Sequence, residues 1–171
     1  MEELKKYIRN IPDFPRKGIL FRDITPLLNN PSALRKAVEL MITPFQKKGI
    51  EKVVAVESRG FILGGIIAYL LRAGLVPVRK KGKLPYSTIS AEYDLEYGRD
   101  ILEMHEDALK EGENVLIVDD LLATGGTVSA TIELVEKKKA KIIGVTFLIE
   151  LTELNGRSRL KEYSLYSLIK Y

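Results

Sequence analysis

The chain has 171 residues, 46% hydrophobic and 29% charged, which suits one soluble domain with a proper core. Cysteine is absent, so disulfides and thiolate metal sites are excluded and a reducing compartment fits. No apolar run approaches the ~18 residues of a membrane span, and the charged start MEELKKYIRN has no apolar signal region. A net charge of +4 and a pI near 9.1 admit either nucleic acid or a small polyanionic substrate as partner.

In chain order, Glu2–Arg9 reads as a short helix, broken by Ile11–Pro15 (IPDFP), where two prolines resist helix. Gly18–Leu28 is mixed apolar and charged. Asn30 is an N-cap candidate before Pro31, Leu34, Val38, Met41 and Phe45 then lie on one face, and Pro44 kinks or ends this helix. Lys52–Glu57 (KVVAVE) is the first buried strand, followed by a turn at Ser58–Gly60 and a helix over Phe61–Arg72. Val76–Arg79 is a second strand, and Lys80–Lys83 a basic loop. From Thr88 to Leu95 polar and apolar residues alternate, which predicts an amphipathic ribbon, with Tyr97-Gly98 as turn and Asp100–Glu106 returning. Asn114–Val118, Lys141–Ile149 and Tyr163–Ile169 complete the strands. Strands alternating with helices predict an α/β domain with a largely parallel central sheet flanked by helices.

The chain is organised around Val115–Thr127 (VLIVDDLLATGGT). An apolar strand is expected to end at Asp119 and Asp120, and Ala123–Thr127 then leads into a helix marked by Val128, Ile132 and Val135. A glycine-containing loop at a helix N-terminus offers unpaired N–H groups and a positive dipole end, which suits a phosphate monoester. Thr124 and Thr127 add hydroxyl donors, and Gly125 and Gly126 allow close backbone approach. The two aspartates accept hydrogen bonds, and a ribose diol offers two. Adjacent strand residues face opposite ways, so both can serve one ligand only if the chain leaves the strand there.

Glu57–Phe61 (ESRGF) is a second strand-to-helix turn, and its Arg59 can grip phosphate oxygens. Arg79–Pro85 (RKKGKLP) concentrates four cations around one glycine. Alone it reads equally as a solvated loop; beside a phosphate loop it reads as a diphosphate site. Lys137–Lys141 reads as a solvated helix end. His105, the only histidine, has no metal-ligand spacing and reads as a surface residue or a second-layer neighbour of the site.

Val115–Thr127 resembles the phosphoribosyl-diphosphate motif of the type I phosphoribosyltransferases. The resemblance extends over Pro12–Leu28, Glu57–Phe61, Val76–Pro85, Tyr93–Gly98 and Glu150–Arg157, and narrows to the adenine-specific branch of that family. It implies a single domain over 1–171, with an N-terminal base-binding hood over 1–30 and a flexible lid over 86–106. It implies a cytoplasmic pentosyltransferase of purine salvage. Adenine and 5-phosphoribosyl 1-diphosphate would give AMP and diphosphate with Mg²⁺, held mainly through the substrate's diphosphate and ribose hydroxyls.

The family's roles then fall on particular residues of this sequence. Ala123, Thr124, Gly125, Gly126 and Thr127 would hold the 5′-phosphate, and Asp119 and Asp120 the ribose hydroxyls. Arg59, Arg79 and Lys83 would offset charge on the departing diphosphate, the last two reaching across a homodimer interface, and Ser58 would also bind substrate. Glu96 would exchange a proton with the base, and Tyr97 would pack over the diphosphate or cap the site. Leu20, Phe21, Arg22 and Leu151 would surround adenine, although leucine and phenylalanine here also read as plain core. The rivals are a transferase for another base (hypoxanthine, guanine, xanthine or orotate), a regulatory protein of the same fold that binds nucleic acid, and a diphosphokinase. The last would need an ATP site, and the sequence shows none.

Overall fold

A computed structural model of the chain describes residues 2–94 and 99–171. Helix α1 (Glu2–Lys5) precedes a two-stranded antiparallel ribbon, β1 (Arg9–Pro12) with β2 (Leu20–Asp23), in which Arg9 opposes Asp23. Helices α2 (Thr25–Asn29) and α3 (Pro31–Ile42) lead to β3 (Lys52–Val56), α4 (Arg59–Leu71) and β4 (Gly74–Lys80). The hairpin β5 (Thr88–Asp94) and β6 (Arg99–His105) follows, then β7 (Asn114–Leu122), α5 (Gly126–Lys137) and β8 (Lys141–Glu150). Two 3₁₀ helices, Thr152–Leu154 and Gly156–Leu160, and β9 (Leu165–Lys170) complete the chain.

The main sheet has seven strands in the order β5-β6-β4-β3-β7-β8-β9. β4, β3, β7, β8 and β9 are parallel, and the hairpin joins antiparallel at β4. Alternation in the central strands assigns residues to two cores. Val53, Leu116 and Val118 pack with Met41 of α3 and Leu63 and Ile67 of α4. Val54, Ile117 and Phe147 pack with Val128, Ile132 and Val135 of α5. This is the parallel-sheet domain that the alternation of elements predicts. The loops after β3 and β7 therefore open at the same edge, where ligands bind in such sheets.

Three sequence expectations change. The first helix stops at Lys5, because Arg9–Pro12 is drawn into pairing with Leu20–Asp23, a partner that local periodicity does not reveal. The helix after Gly60 starts two residues earlier than expected, at Arg59. Most consequentially, β7 does not end at the aspartates: its ladder with β8 runs on through Asp119 and Leu121 to Leu122. What changes at the aspartates is the alternation of faces. Leu116 and Val118 face the α3/α4 core, and so does Leu121, while Leu122 joins the α5 core.

The Asn30 cap is present: its side-chain Oδ1 accepts from the Ala33 N–H at 2.9 Å, at the start of α3. The alternating segment forms the expected ribbon at the sheet edge, with Ala91, Leu102 and Met104 buried in the α5-side core. Its tip at Leu95–Gly98 lies outside the described residues. No helix among the described residues is long and apolar enough to cross a membrane.

Candidate active site

The end of β7 and the start of α5 form one wall of a cavity of ≈ 300 Å³. Asp119, Asp120 and the whole loop Ala123–Thr127 line it, together with Ser58 and Arg59 from the start of α4. Helix α5 is entered through Gly125, whose left-handed φ of 86° a side chain would strain. No side chain caps this helix, so its first N–H groups are available to an anion.

The aspartates are buried. Asp119 Oδ1 accepts the Asp120 N–H at 2.8 Å, and Asp120 Oδ2 lies 2.8 Å from Arg59 Nη2. That last contact is an ion pair without hydrogen-bond alignment. Burial pushes the Asp119 carboxyl well above the usual carboxylate range, and the neighbouring Asp120 charge adds to the rise. Burial also raises Asp120, against the opposing pull of Arg59. Helix α4 comes this close because residue 60 is glycine: a Cβ there would lie 2.8 Å from Asp119 Oδ1.

Arg59 ties three parts of the site together. Besides Asp120, its Nη1 donates to the Arg22 carbonyl at 3.3 Å, and its guanidinium lies 4.9 Å from the Phe21 ring centre. Phe21 and Arg22 therefore adjoin the cavity without lining it. The Arg22 guanidinium turns outward, over the Tyr171 ring at 3.7 Å. Leu20 is exposed and Phe21 half-buried, so neither is an ordinary core residue. Leu151, half-buried, follows β8, and its N–H donates to the Leu122 carbonyl at 2.9 Å.

Arg79 and Lys83 do not line the cavity within this chain. Arg79 Nε donates to Glu57 Oε2 at 2.7 Å, its Nη1 to the Lys83 carbonyl at 3.1 Å, and Lys83 Nζ lies 3.7 Å from Glu57 Oε1. Burial pushes Glu57 up, but the Arg79 hydrogen bond, the Lys80 N–H and the Lys83 charge outweigh it and hold the carboxyl below its usual range. Glu96 and Tyr97 lie outside the described residues. His105 stands apart from the cavity, edge-on to Tyr86 at 6.0 Å.

Sequence reasoning assigned no individual role to Glu57 or Tyr93, and read Lys80 only as one cation of the Arg79–Pro85 run, yet all three line the cavity. Lys80 Nζ pairs with Asp100 at 2.8 Å, and the Tyr93 hydroxyl donates to the same carboxylate at 3.2 Å. The signals were present: Glu57 heads the ESRGF motif, and Tyr93 lies on the inward face of the alternating ribbon. Chemically, the cavity lining combines the uncapped start of α5, two carboxylates and the cations Arg59 and Lys80. That set of groups suits a phosphorylated pentose carrying a second anionic group.

Comparison with known proteins agrees. Residues 23–170 match the family profile described as phosphoribosyl transferase domain. The chain is 58% identical over 169 residues to the adenine phosphoribosyltransferase of Brachyspira hyodysenteriae, covering 99% of each chain. The crystal structure of adenine phosphoribosyltransferase from Rhodothermus marinus superposes with a TM-score of 0.96 at 55% identity, covering 99% of this chain and 97% of that one. The Saccharomyces cerevisiae adenine phosphoribosyltransferase, complexed with an imino-altritol bisphosphate and adenine, gives 0.91 at 42% identity, covering 98% and 97%. A strand, an acidic pair and a phosphate loop folded in this order thus have a name: the chain belongs to the phosphoribosyltransferase family, on its adenine phosphoribosyltransferase branch.

Proposed function

We propose that this chain transfers the 5-phosphoribosyl group of phosphoribosyl diphosphate to N9 of adenine, giving AMP and diphosphate. The carrying observation is the buried Asp119–Asp120 pair standing between the uncapped start of α5 and Arg59. In the reaction the C1′–oxygen bond to diphosphate breaks and the N9–C1′ bond forms. The loop Ala123–Thr127 holds the 5′-phosphate on its N–H groups. Asp119 and Asp120 accept the ribose hydroxyls, and their negative charge stabilises the positive charge developing at the sugar. Arg59 leaves Asp120 for the diphosphate as the substrate's hydroxyls arrive. Phe21, the Arg22 main chain and Leu151 enclose adenine. Glu96 takes the N9 proton, and the ribbon over 86–106 closes to exclude water.

Mg²⁺ fits this donor set as the substrate's own counter-ion. The described residues contain no group of three or more acidic or histidine side chains placed to cage a cation, while Asp119 and Asp120 offer hard oxygens beside the ribose. When bound, it neutralises charge on the departing diphosphate.

The proposal includes a homodimer. The outer face of α4 exposes Ile62, Tyr69 and Leu70, Tyr69 to 83%, and Leu75 of β4 extends this apolar surface. A second copy covering it would lie against the strand that carries Arg79, and would bring Arg79 and Lys83 toward the partner's cavity. A cytoplasmic location completes the reading, and the lack of cysteine suits it.

The test is turnover with phosphoribosyl diphosphate and each of adenine, hypoxanthine, guanine, xanthine and orotate, with Mg²⁺ or with chelator. Mg²⁺-dependent AMP formation with little product from the other bases is expected. Efficient product from another base, or none from any, would overturn the assignment.

A further inference from the structure

The phosphate loop is backed by a segment to which the reaction scheme gives no part. A Cβ on Gly156 would lie 2.2 Å from the Ala123 carbonyl oxygen, 3.0 Å from the Gly125 nitrogen and 3.0 Å from the Thr124 carbonyl carbon. From the other side, a Cβ on Gly125 would lie 2.9 Å from the Gly156 carbonyl oxygen. These obstacles are main chain, which cannot rotate aside as a side chain does. Gly156 is buried, so its lack of a side chain is what lets the two backbones touch.

The backing segment is itself fixed. Asn155 turns the chain between the two 3₁₀ helices with a left-handed φ of 50°. Arg157 Nε and Nη2 donate to Glu150 Oε1 and Oε2 at 2.9 and 2.7 Å, a bidentate pair with a carboxylate buried at the end of β8. Arg157 also reaches the Ser167 hydroxyl and the Leu165 carbonyl of β9, each at 3.4 Å. The contact with Ala123–Gly125 is therefore anchored in the two strands beyond β7.

We infer that Gly156 is a positioning residue for the 5′-phosphate. It lets Asn155–Arg157 press on the Ala123–Gly125 backbone and so sets where the loop's N–H groups point, and the Arg157–Glu150 pair keeps that pressure constant. The inference rests on the proposed transfer to the extent that the loop's ligand is a 5′-phosphate. A methyl group at 156 pushes the loop, not the base pocket, so ligands carrying the phosphate should suffer selectively.

The experiment compares AMP with adenine, by calorimetric binding and by KM, for wild type, Gly156→Ala and Arg157→Lys. Gly156→Ala should weaken AMP and raise the KM for phosphoribosyl diphosphate at least tenfold, with the adenine KM changed less than threefold. Arg157→Lys, which keeps the charge and loses the fork, should shift the same ratio severalfold. AMP affinity of Gly156→Ala within twofold of wild type overturns the inference, and so does an equal loss of AMP and adenine. Should Gly156→Ala not fold, the ratio for Arg157→Lys decides by the same criterion. If the wild type neither binds nor forms AMP, the reading of the site falls, an outcome distinct from a normal wild type with an unaffected Gly156→Ala.

Discussion

Changing Asp119 to Asn removes one negative charge from the buried carboxylate pair and keeps its shape. The amide oxygen still accepts the Asp120 N–H that Asp119 Oδ1 now accepts at 2.8 Å, and the new NH₂ has the Asp120 carboxylate beside it. The charge removed is one the fold resists, because burial and the Asp120 charge push the Asp119 carboxyl well above its usual range. The folded state therefore binds this proton more tightly than the unfolded chain, and wild-type stability falls as pH rises from the ordinary carboxylate value of 3.8. Relief of an ill-compensated buried group amounts to about 1–2 kcal/mol at neutral pH. For a chain of this size, that is roughly 2–8 °C in Tm. Turnover should fall on the order of 10²-fold, since a carboxylate facing the developing sugar cation is lost. Thermal unfolding of both proteins from pH 4 to pH 7, with AMP formation at pH 7, makes the check. The stability gap should be small at pH 4 and widen toward pH 7 in favour of the mutant. A wild type that equals or exceeds the mutant at pH 7, or a gap independent of pH, would refute the reasoning about the pair.

Other perturbations separate the remaining parts. Glu96→Gln should lower kcat by ~10²-fold or more with little change in the KM for phosphoribosyl diphosphate; an unchanged kcat removes Glu96 from proton transfer. Gly144→Ala places a methyl 2.3 Å from Phe45 Cε1 and 2.9 Å from the Ser164 carbonyl oxygen. It should cost about 1–3 kcal/mol by overpacking, read as a lower urea midpoint; unaltered stability would mean that Phe45 yields freely. Tyr69→Glu, on the exposed face of α4, should shift the chain toward monomer in sedimentation and cut turnover if Arg79 and Lys83 serve the partner's cavity. A dimer untouched by that change would place the interface elsewhere.

The central site was legible because its chemistry is contiguous. Val115–Thr127 carries strand, carboxylates, loop and helix start in thirteen consecutive residues, and the fold keeps that order, although β7 runs past the aspartates to Leu122 and α5 begins inside the expected loop, at Gly126. The Asn30 cap was legible for the same reason, since cap and capped N–H lie three residues apart. What sequence alone did not reveal is non-local. Arg9–Pro12 becomes a strand only because Leu20–Asp23 returns beside it. The aspartates stay within a ladder because β8 runs alongside, and β7 changes its facing there instead of ending. Glu57 gathers cations from 22 residues away, and Gly156 touches a loop some thirty residues earlier. Periodicity reports neighbours along the chain, whereas these contacts belong to the folded sheet.

The central claim is that the β7–α5 cavity holds the phosphoribosyl group between loop and aspartates. A crystal structure with AMP tests it most directly. The account predicts the 5′-phosphate on the N–H groups of Ala123–Thr127, both ribose hydroxyls on Asp119 and Asp120, and Arg59 withdrawn from Asp120. A phosphate bound elsewhere, with the Arg59–Asp120 pair intact, would contradict it.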